Sequence, residues 1–162
     1  MRAKSDAIDT AKAVDMTLVK WSKDFAVGIE LIDNQHMELV NLTNQLYRAC
    51  LTSPTEIEHT FKEVMGRMVE YVRFHFGTEQ KLLERIHYPD YNDHKNRHDQ
   101  LVKDILEAVN NYGKGMKYVP NNFARTLKDW VFEHIAIYDQ IYAAYVREQK
   151  SKGLLTDLQI NG

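Results

Sequence analysis

Along this chain, apolar residues recur at steps of three and four in four separate stretches, and almost nowhere do they alternate with the period of two that marks a strand. The pattern predicts four helices. The first spans about 34–50, with Asp33 as its N-cap and an inward line of Ile32, His36, Leu39, Thr43, Leu46 and Cys50. Leu51 to Pro54 breaks it. The second opens on Ser53, Pro54, Thr55 and Glu56, a capping box with proline at the first helical position. Its inward line is Ile57, Phe61, Val64, Met68, Val72, His75, Glu79, Leu82 and Ile86, and the Tyr88-Pro89 pair ends it. A third stripe, Tyr91, His94, His98, Leu101, Ile105, Ala108 and Tyr112, follows the candidate cap Asp90 and stops at Gly113, read as the C′ residue. The fourth begins near Pro120 and shows Phe123, Leu127, Trp130, His134, Ile137, Ile141 and Tyr145.

Each stretch has one apolar stripe, and the connections between stretches are short. Short connections make sequential neighbours antiparallel, so the expected fold is all-α, an up-down-up-down antiparallel four-helix bundle. Trp21, Phe25, Val27 and Ile29 precede the first helix and read as an N-terminal arm packed on the bundle. The expected division is an extension over 1–18, the bundle over 19–150 and a C-terminal tail over 151–162. No internal repeat or low-complexity tract interrupts it.

Composition narrows the function classes. With 162 residues, 44% hydrophobic and 27% charged, the chain fits one globular domain with a substantial core. A formal net charge of −2 gives no reason to expect nucleic acid or an anionic membrane as partner. Cys50 is alone, which excludes an internal disulfide and agrees with a reducing compartment. No apolar run approaches the roughly 20 residues of a membrane span. Arg2 and Lys4 are followed by Asp6, Asp9, Lys12 and Asp15, unlike the apolar region of a signal peptide. The expected location is cytoplasmic. The expected state is a monomer, because the periodicity shows no second apolar stripe.

The informative residues are polar ones at core positions. His36, His75, Glu79, His94, His98 and His134 all lie on the inward lines. A buried carboxylate without a partner costs several kilocalories per mole or more in effective terms. A metal compensates a carboxylate and several imidazoles together. His75 and Glu79, like His94 and His98, are four apart, so each pair shares a helix face about one turn apart. His36 and His134 come from the other two helices, and ligand convergence on the axis is how bundle metal sites are built. A single inward histidine is more often a hydrogen-bonded core residue than a ligand. Five on four helices, with a carboxylate among them, would each need a separate partner if no metal joined them. His59 and His87 fall off the stripes and read as surface or loop residues.

Asp139 does not fit. It follows His134 by five residues, which on an ideal helix is about 140° around the axis. Periodicity alone makes it solvent-facing, although its own line (Ala136, Asp139, Ala143) is made of small residues.

The series His36, His75-x-x-x-Glu79, His94-x-x-x-His98 and His134-x-x-x-x-Asp139 resembles the hemerythrin signature, with all seven positions filled. The words around it are similar to the bacterial branch: Val27-Gly28, Ile32-Asp33-x-x-His36, Tyr88-Pro89 and Trp130-x-x-x-His134-Ile135. The likeness covers about residues 20–146. It implies two non-haem irons bridged by an oxo or hydroxo group and by Glu79 and Asp139. One iron would take His94, His98 and His134; the other would take His36 and His75 and leave a position for dioxygen. The oxygen pocket would map onto Leu39, Phe76, Trp130, Val131 and Ile135, which are otherwise ordinary core residues. Gln80 departs from the second Glu that many relatives carry.

The implied function is reversible dioxygen binding for storage, transport or delivery, possession of an oxygen-consuming partner enzyme being one use of it. A histidine-rich site carries fewer anionic donors than ferritin-like di-iron oxidases, which favours a carrier over an enzyme. The alternatives are a di-iron enzyme handling peroxide or nitric oxide, and an oxygen- or redox-sensing or iron-buffering module. For Asp139 two geometries stay open: a π-bulge between it and His134, or a regular helix lying close to the irons. The regular helix is the favoured expectation, because small residues flank Asp139 and no proline or glycine interrupts Phe123 to Tyr145.

Overall fold

A computed structural model of the protein describes residues 16–156. Helices α1 (Glu30–Ala49), α2 (Pro54–Arg85) and α3 (Tyr91–Gly113) are followed by a long fourth helix in three parts. These are α4 (Val119–Trp130), a π-helical segment (Val131–Asp139) and α5 (Gln140–Ser151). Helix α1 packs on α2 and on the fourth helix, and α3 packs on the same two, which is the ring of contacts of a four-helix bundle. No strand is present among the described residues, and no helix among them is long and apolar enough to cross a membrane. The extension expected over 1–18 falls almost wholly outside the described residues, as does the last half of the expected tail.

Helix ends follow local chemistry, in places not as the sequence suggested. Ser53 caps α2 by accepting from the Glu56 backbone N–H, with Pro54 at the first helical position. Asp33 is not an N-cap; α1 already begins at Glu30. The Asp33 carboxylate instead accepts from the backbone N–H groups of Val27 (2.7 Å) and Gly28 (3.1 Å), folding the incoming arm back onto the first turn. Gly28 sits there at φ 82°, where a side chain would be strained. Helix α2 stops before Pro89: His87 takes φ 51°, and the Tyr88 N–H reaches the Leu83 carbonyl at 2.8 Å. At the end of α3 the left-handed residue is Gly115 (φ 85°) and not Gly113, which remains helical.

The arm is anchored as well as packed. Phe25, Val27 and Ile29 are buried. Asn44, buried on α1, accepts from the N–H groups of Leu18 and Val19 at 2.9 Å each and donates to the Val19 carbonyl at 2.7 Å.

The core is divided. A large apolar cluster includes Leu39, Leu46, Phe61, Met68, Leu101, Leu127 and Ile135. A smaller one gathers Ile29, Ile32, Leu83, Ile86, Tyr142 and Val146. Along α1, α2 and the fourth helix, a layer of buried polar side chains falls between the two.

The fourth helix corrects the favoured reading of its geometry: it is not regular. A π turn closes its backbone bonds five residues apart instead of four, so positions five apart come nearly into line. The nine-residue π segment thereby brings both His134 and Asp139 inward. The same rotation turns Ile137 (53% exposed) and Ile141 (49% exposed) outward, although α-periodicity placed them inside. Tyr142, Ala143 and Val146 take the inward places instead. Leaving two isoleucines half-exposed forgoes up to roughly 1.5 kcal/mol each, about half of a full burial. The polar layer, not apolar burial, sets the register here.

Candidate metal centre

All seven residues of the predicted ligand set meet in the polar layer. His36, His75, Glu79, His98 and Asp139 have no solvent exposure, His134 has 2% and His94 has 5%. The five imidazoles turn their Nε2 atoms toward two central carboxylates. His94 and His98 approach Glu79 Oε2 at 3.2 and 3.1 Å, and His75 approaches the same atom at 3.6 Å. Asp139 lies between His36 (3.2 Å from Oδ2) and His134 (3.1 Å from Oδ1). Each carboxylate therefore touches histidines from both sides of the layer.

The donors resolve into two groups that share Glu79. Ligand atoms of Glu79, His94, His98 and His134 lie within 4.8 Å of one another, and so do those of His36, His75 and Glu79. Two groups with a common carboxylate have the form of a two-metal site.

The electrostatics agree. Burial pushes the His75 pKa down to about 3 and that of His98 down to about 4, so both present free lone pairs at neutral pH. Burial also opposes charge on His36 and His94, but the facing carboxylates outweigh it: Asp139 raises His36 and Glu79 raises His94. Burial works against ionisation of Glu79 and Asp139, yet the surrounding imidazoles hold both well below the usual carboxylate range. Both carboxylates are thus biased toward the anion, and His36 and His94 toward the protonated form. A cation entering the site competes with that bias.

A surrounding set of residues holds the donors. The Tyr142 hydroxyl, fully buried, donates to Glu79 Oε1 in a short hydrogen bond. Burial, reinforced by the charge of Glu79, keeps Tyr142 well above the ordinary phenol range, so it stays a donor. Gln35 Oε1 accepts from His75 Nδ1 at 3.1 Å, which leaves Nε2 as the lone-pair nitrogen. The Gln80 amide nitrogen lies 3.4 Å from His98 Nδ1, so the residue that departs from the resemblance sits beside a histidine of the layer. Phe76 stacks on His98 (3.7 Å, 5°) and Trp130 on His134 (4.0 Å, 13°), fixing two ring planes. Leu39, Val131 and Ile135 have no exposure, Phe76 is buried and Trp130 is half-buried. Thr43 bonds back to the Leu39 carbonyl at 2.8 Å.

Sequence reasoning missed Tyr142, Gln35 and Asn44. Tyr142 follows Asp139 by three, so an inward Asp139 would have pointed to it. Gln35 lies beside His36 on α1 but serves a histidine of α2, and spacing along one helix cannot show that. Asn44 adjoins Thr43 and serves the arm.

Comparison with known proteins places these features in a family. The model of the hemerythrin HHE cation binding domain matches residues 27–146. A bacteriohemerythrin from Stenotrophomonas maltophilia is 30% identical over 149 residues, covering 86% of this chain and 94% of the relative. One from Methylococcus capsulatus is 26% identical over 128 residues, covering 78% and 95%. Among solved structures, a hemerythrin point mutant superposes with a TM-score of 0.69 at 26% identity, covering 80% of this chain and 97% of that one.

Proposed function

Since this chain belongs to the hemerythrin family, we propose that it binds dioxygen reversibly at two non-haem irons. His94, His98 and His134 would hold one iron and His36 and His75 the other, with the carboxylates supplied by Glu79, common to both groups, and by Asp139, which lies between His36 and His134. The observation that carries this reading is the pair of fully buried carboxylates enclosed by five imidazoles. Both Asp139 oxygens, His36 Nε2 and His75 Nε2 have no hydrogen-bond partner. Buried polar atoms left so are costly, on the order of 1–3 kcal/mol each, and a metal pair satisfies them together. Imidazole with carboxylate is a donor set that suits iron.

When bound, the iron pair supplies the electrons that reversible dioxygen binding requires. The chain's own residues do the rest. His75 and His98 are already neutral and need lose no proton to serve as ligands. Tyr142 fixes Glu79 through one oxygen, and His94 and His98 crowd the other. Leu39, Phe76, Val131 and Ile135 form apolar packing beside the layer and keep water and its protons from the oxygen position. A carrier is favoured over an enzyme by the histidine-rich donor set, which holds fewer anionic groups than ferritin-like di-iron oxidases. Three polar side chains beside it are engaged, Tyr142 with Glu79, Thr43 with Leu39 and Gln35 with His75, whereas the buried Tyr71 hydroxyl, on a ring stacked 4.9 Å from His75, has no hydrogen-bond partner. The uses that fit this reading are storage, transport or delivery of dioxygen, an oxygen-consuming enzyme being one recipient.

The test is a visible spectrum of the iron-loaded, reduced protein under inert gas, then in air, then under inert gas again. The expected result is a colour that appears with oxygen and leaves with it. A colour that does not reverse, or hydrogen peroxide accumulating over repeated cycles, would favour a di-iron enzyme.

A further inference from the structure

The metal layer is buried, so a cation must reach it through the bundle wall. One wall offers a path. Between α3 and the fourth helix lies a cleft of about 610 Å³ whose lining includes Asp93, Asp104, Asp129 and Glu133 with a single cation, Arg97. That cation is occupied: its guanidinium lies 3.3 Å from the Tyr138 ring centroid, at the cleft's edge. His134 also forms part of the lining, although it is only 2% exposed.

The position of His134 makes this more than an acidic patch. Its Nε2 faces the layer, 3.1 Å from Asp139 Oδ1 and 3.0 Å from His98 Nε2. The other nitrogen, Nδ1, is buried without any hydrogen-bond partner. An unpartnered imidazole nitrogen at the floor of an acidic cleft is suited to a divalent cation. The opposite wall is built differently. There the cavity beside His75 is lined by Arg67, which is ion-paired with Glu38, and His75 Nδ1 is already bonded to Gln35. A cation approaching from that side meets a guanidinium and no free nitrogen.

We propose that the α3–α4 cleft is a loading site for hydrated ferrous ion, which the carboxylates of Asp129 and Glu133 collect and His134 receives on its way to the buried layer. The inference rests on the di-iron reading above. The carboxylates act at a distance on a hydrated ion, so their effect is on the rate of loading and is screened by salt. They do not act on the final metal content, because neither belongs to the buried donor set.

The experiment follows anaerobic uptake of ferrous ion by the metal-free full chain, stopping aliquots with a chelator and counting retained iron. The parent is compared with Asp129→Asn/Glu133→Gln, both exposed positions, and with the charge-matched control Glu70→Gln/Glu84→Gln, exposed on α2. At low ionic strength the cleft variant is expected to load about 5- to 20-fold more slowly, to reach the parent's final iron content and to melt at the parent's temperature. The control is expected to load at the parent's rate, and about 0.5 M salt to bring all three together. Equal rates for parent and cleft variant, or equal slowing in the control, overturn the cleft as loading site while the di-iron reading stands. A parent that takes up no ferrous ion overturns both.

Discussion

Replacing Tyr142 by phenylalanine removes one oxygen atom and tests how the centre is held before metal arrives. The hydroxyl is fully buried and donates to Glu79 Oε1; the next group to that oxygen is His36 Nε2 at 3.9 Å, beyond hydrogen-bond reach. Tyr142→Phe therefore leaves a buried carboxylate oxygen unpaired. A hydrogen bond to a charged group contributes about 1.5–3 kcal/mol, and no solvent screening applies at a fully buried site. At about 2–4 °C per kcal/mol for a chain of this size, the metal-free variant should melt roughly 3–12 °C below the parent. If Glu79 holds iron as proposed, loading would give the same oxygen a metal partner, and the loss should shrink by half or more. Tyr145→Phe is the control: its hydroxyl reaches the Ile86 carbonyl at a long 3.4 Å and is only partly buried, so it should cost below about 0.5 kcal/mol. Thermal and denaturant unfolding of both variants, with and without metal, make the comparison. A metal-free Tyr142→Phe indistinguishable from Tyr145→Phe would refute the claim that Tyr142 supports the bridging carboxylate.

Three further outcomes are expected. Asn44→Ala leaves the Leu18 and Val19 backbone groups without their partner, so amide exchange there should accelerate at least about fivefold, from a loss of some 1–3 kcal/mol; unchanged protection would show that packing alone holds the arm. Leu39→Gln sets a polar group one helical turn from His36 in a site with no exposure, and the oxygenated protein should oxidise faster to its inactive form; an unchanged rate at unchanged stability would make Leu39 ordinary core. The metal-free protein should lose stability as pH falls from 6.5 toward 4, measured by urea unfolding. His75 and His98 have folded pKa values below the unfolded 6.5, so the unfolded state binds more protons across that window. Glu79 and Asp139, also lowered, add to the loss as pH passes the unfolded carboxylate range near 4. The raised His36 and His94 act the other way only above 6.5, where their stabilisation is lost as pH rises. Constant or rising stability on acidification would contradict these assignments.

Six of the seven residues of the proposed ligand set were legible in the sequence as buried polar positions, because each breaks the apolar rule on an inward stripe. A histidine or glutamate at a core position is anomalous without any knowledge of the fold. Asp139 was legible only through the resemblance and not from periodicity, and the reason is geometric: α-periodicity carries Ile137 and Ile141 inward and Asp139 outward, and no proline or glycine announces the π segment. The small residues beside Asp139 suggested close approach of a regular helix, whereas Ala136 and Ala143 owe their places to the changed register. Helix ends were misread where a residue serves two elements. Asp33 looks like a cap from its position before the stripe, but it binds the arm's backbone, and His87 performs a turn usually left to glycine. Contacts between helices, such as Gln35 with His75, have no signature along one strand of spacing at all.

The central claim is that seven buried side chains hold two irons that bind dioxygen and let it go. Its most direct measurement is gas uptake on an anaerobically reduced sample of known iron content, followed by recovery of the gas under argon. The account predicts two irons per chain, one dioxygen taken up per iron pair, and nearly all of it recovered unchanged. One zinc per chain with no uptake, or oxygen consumed and returned only as water or hydrogen peroxide, would contradict it.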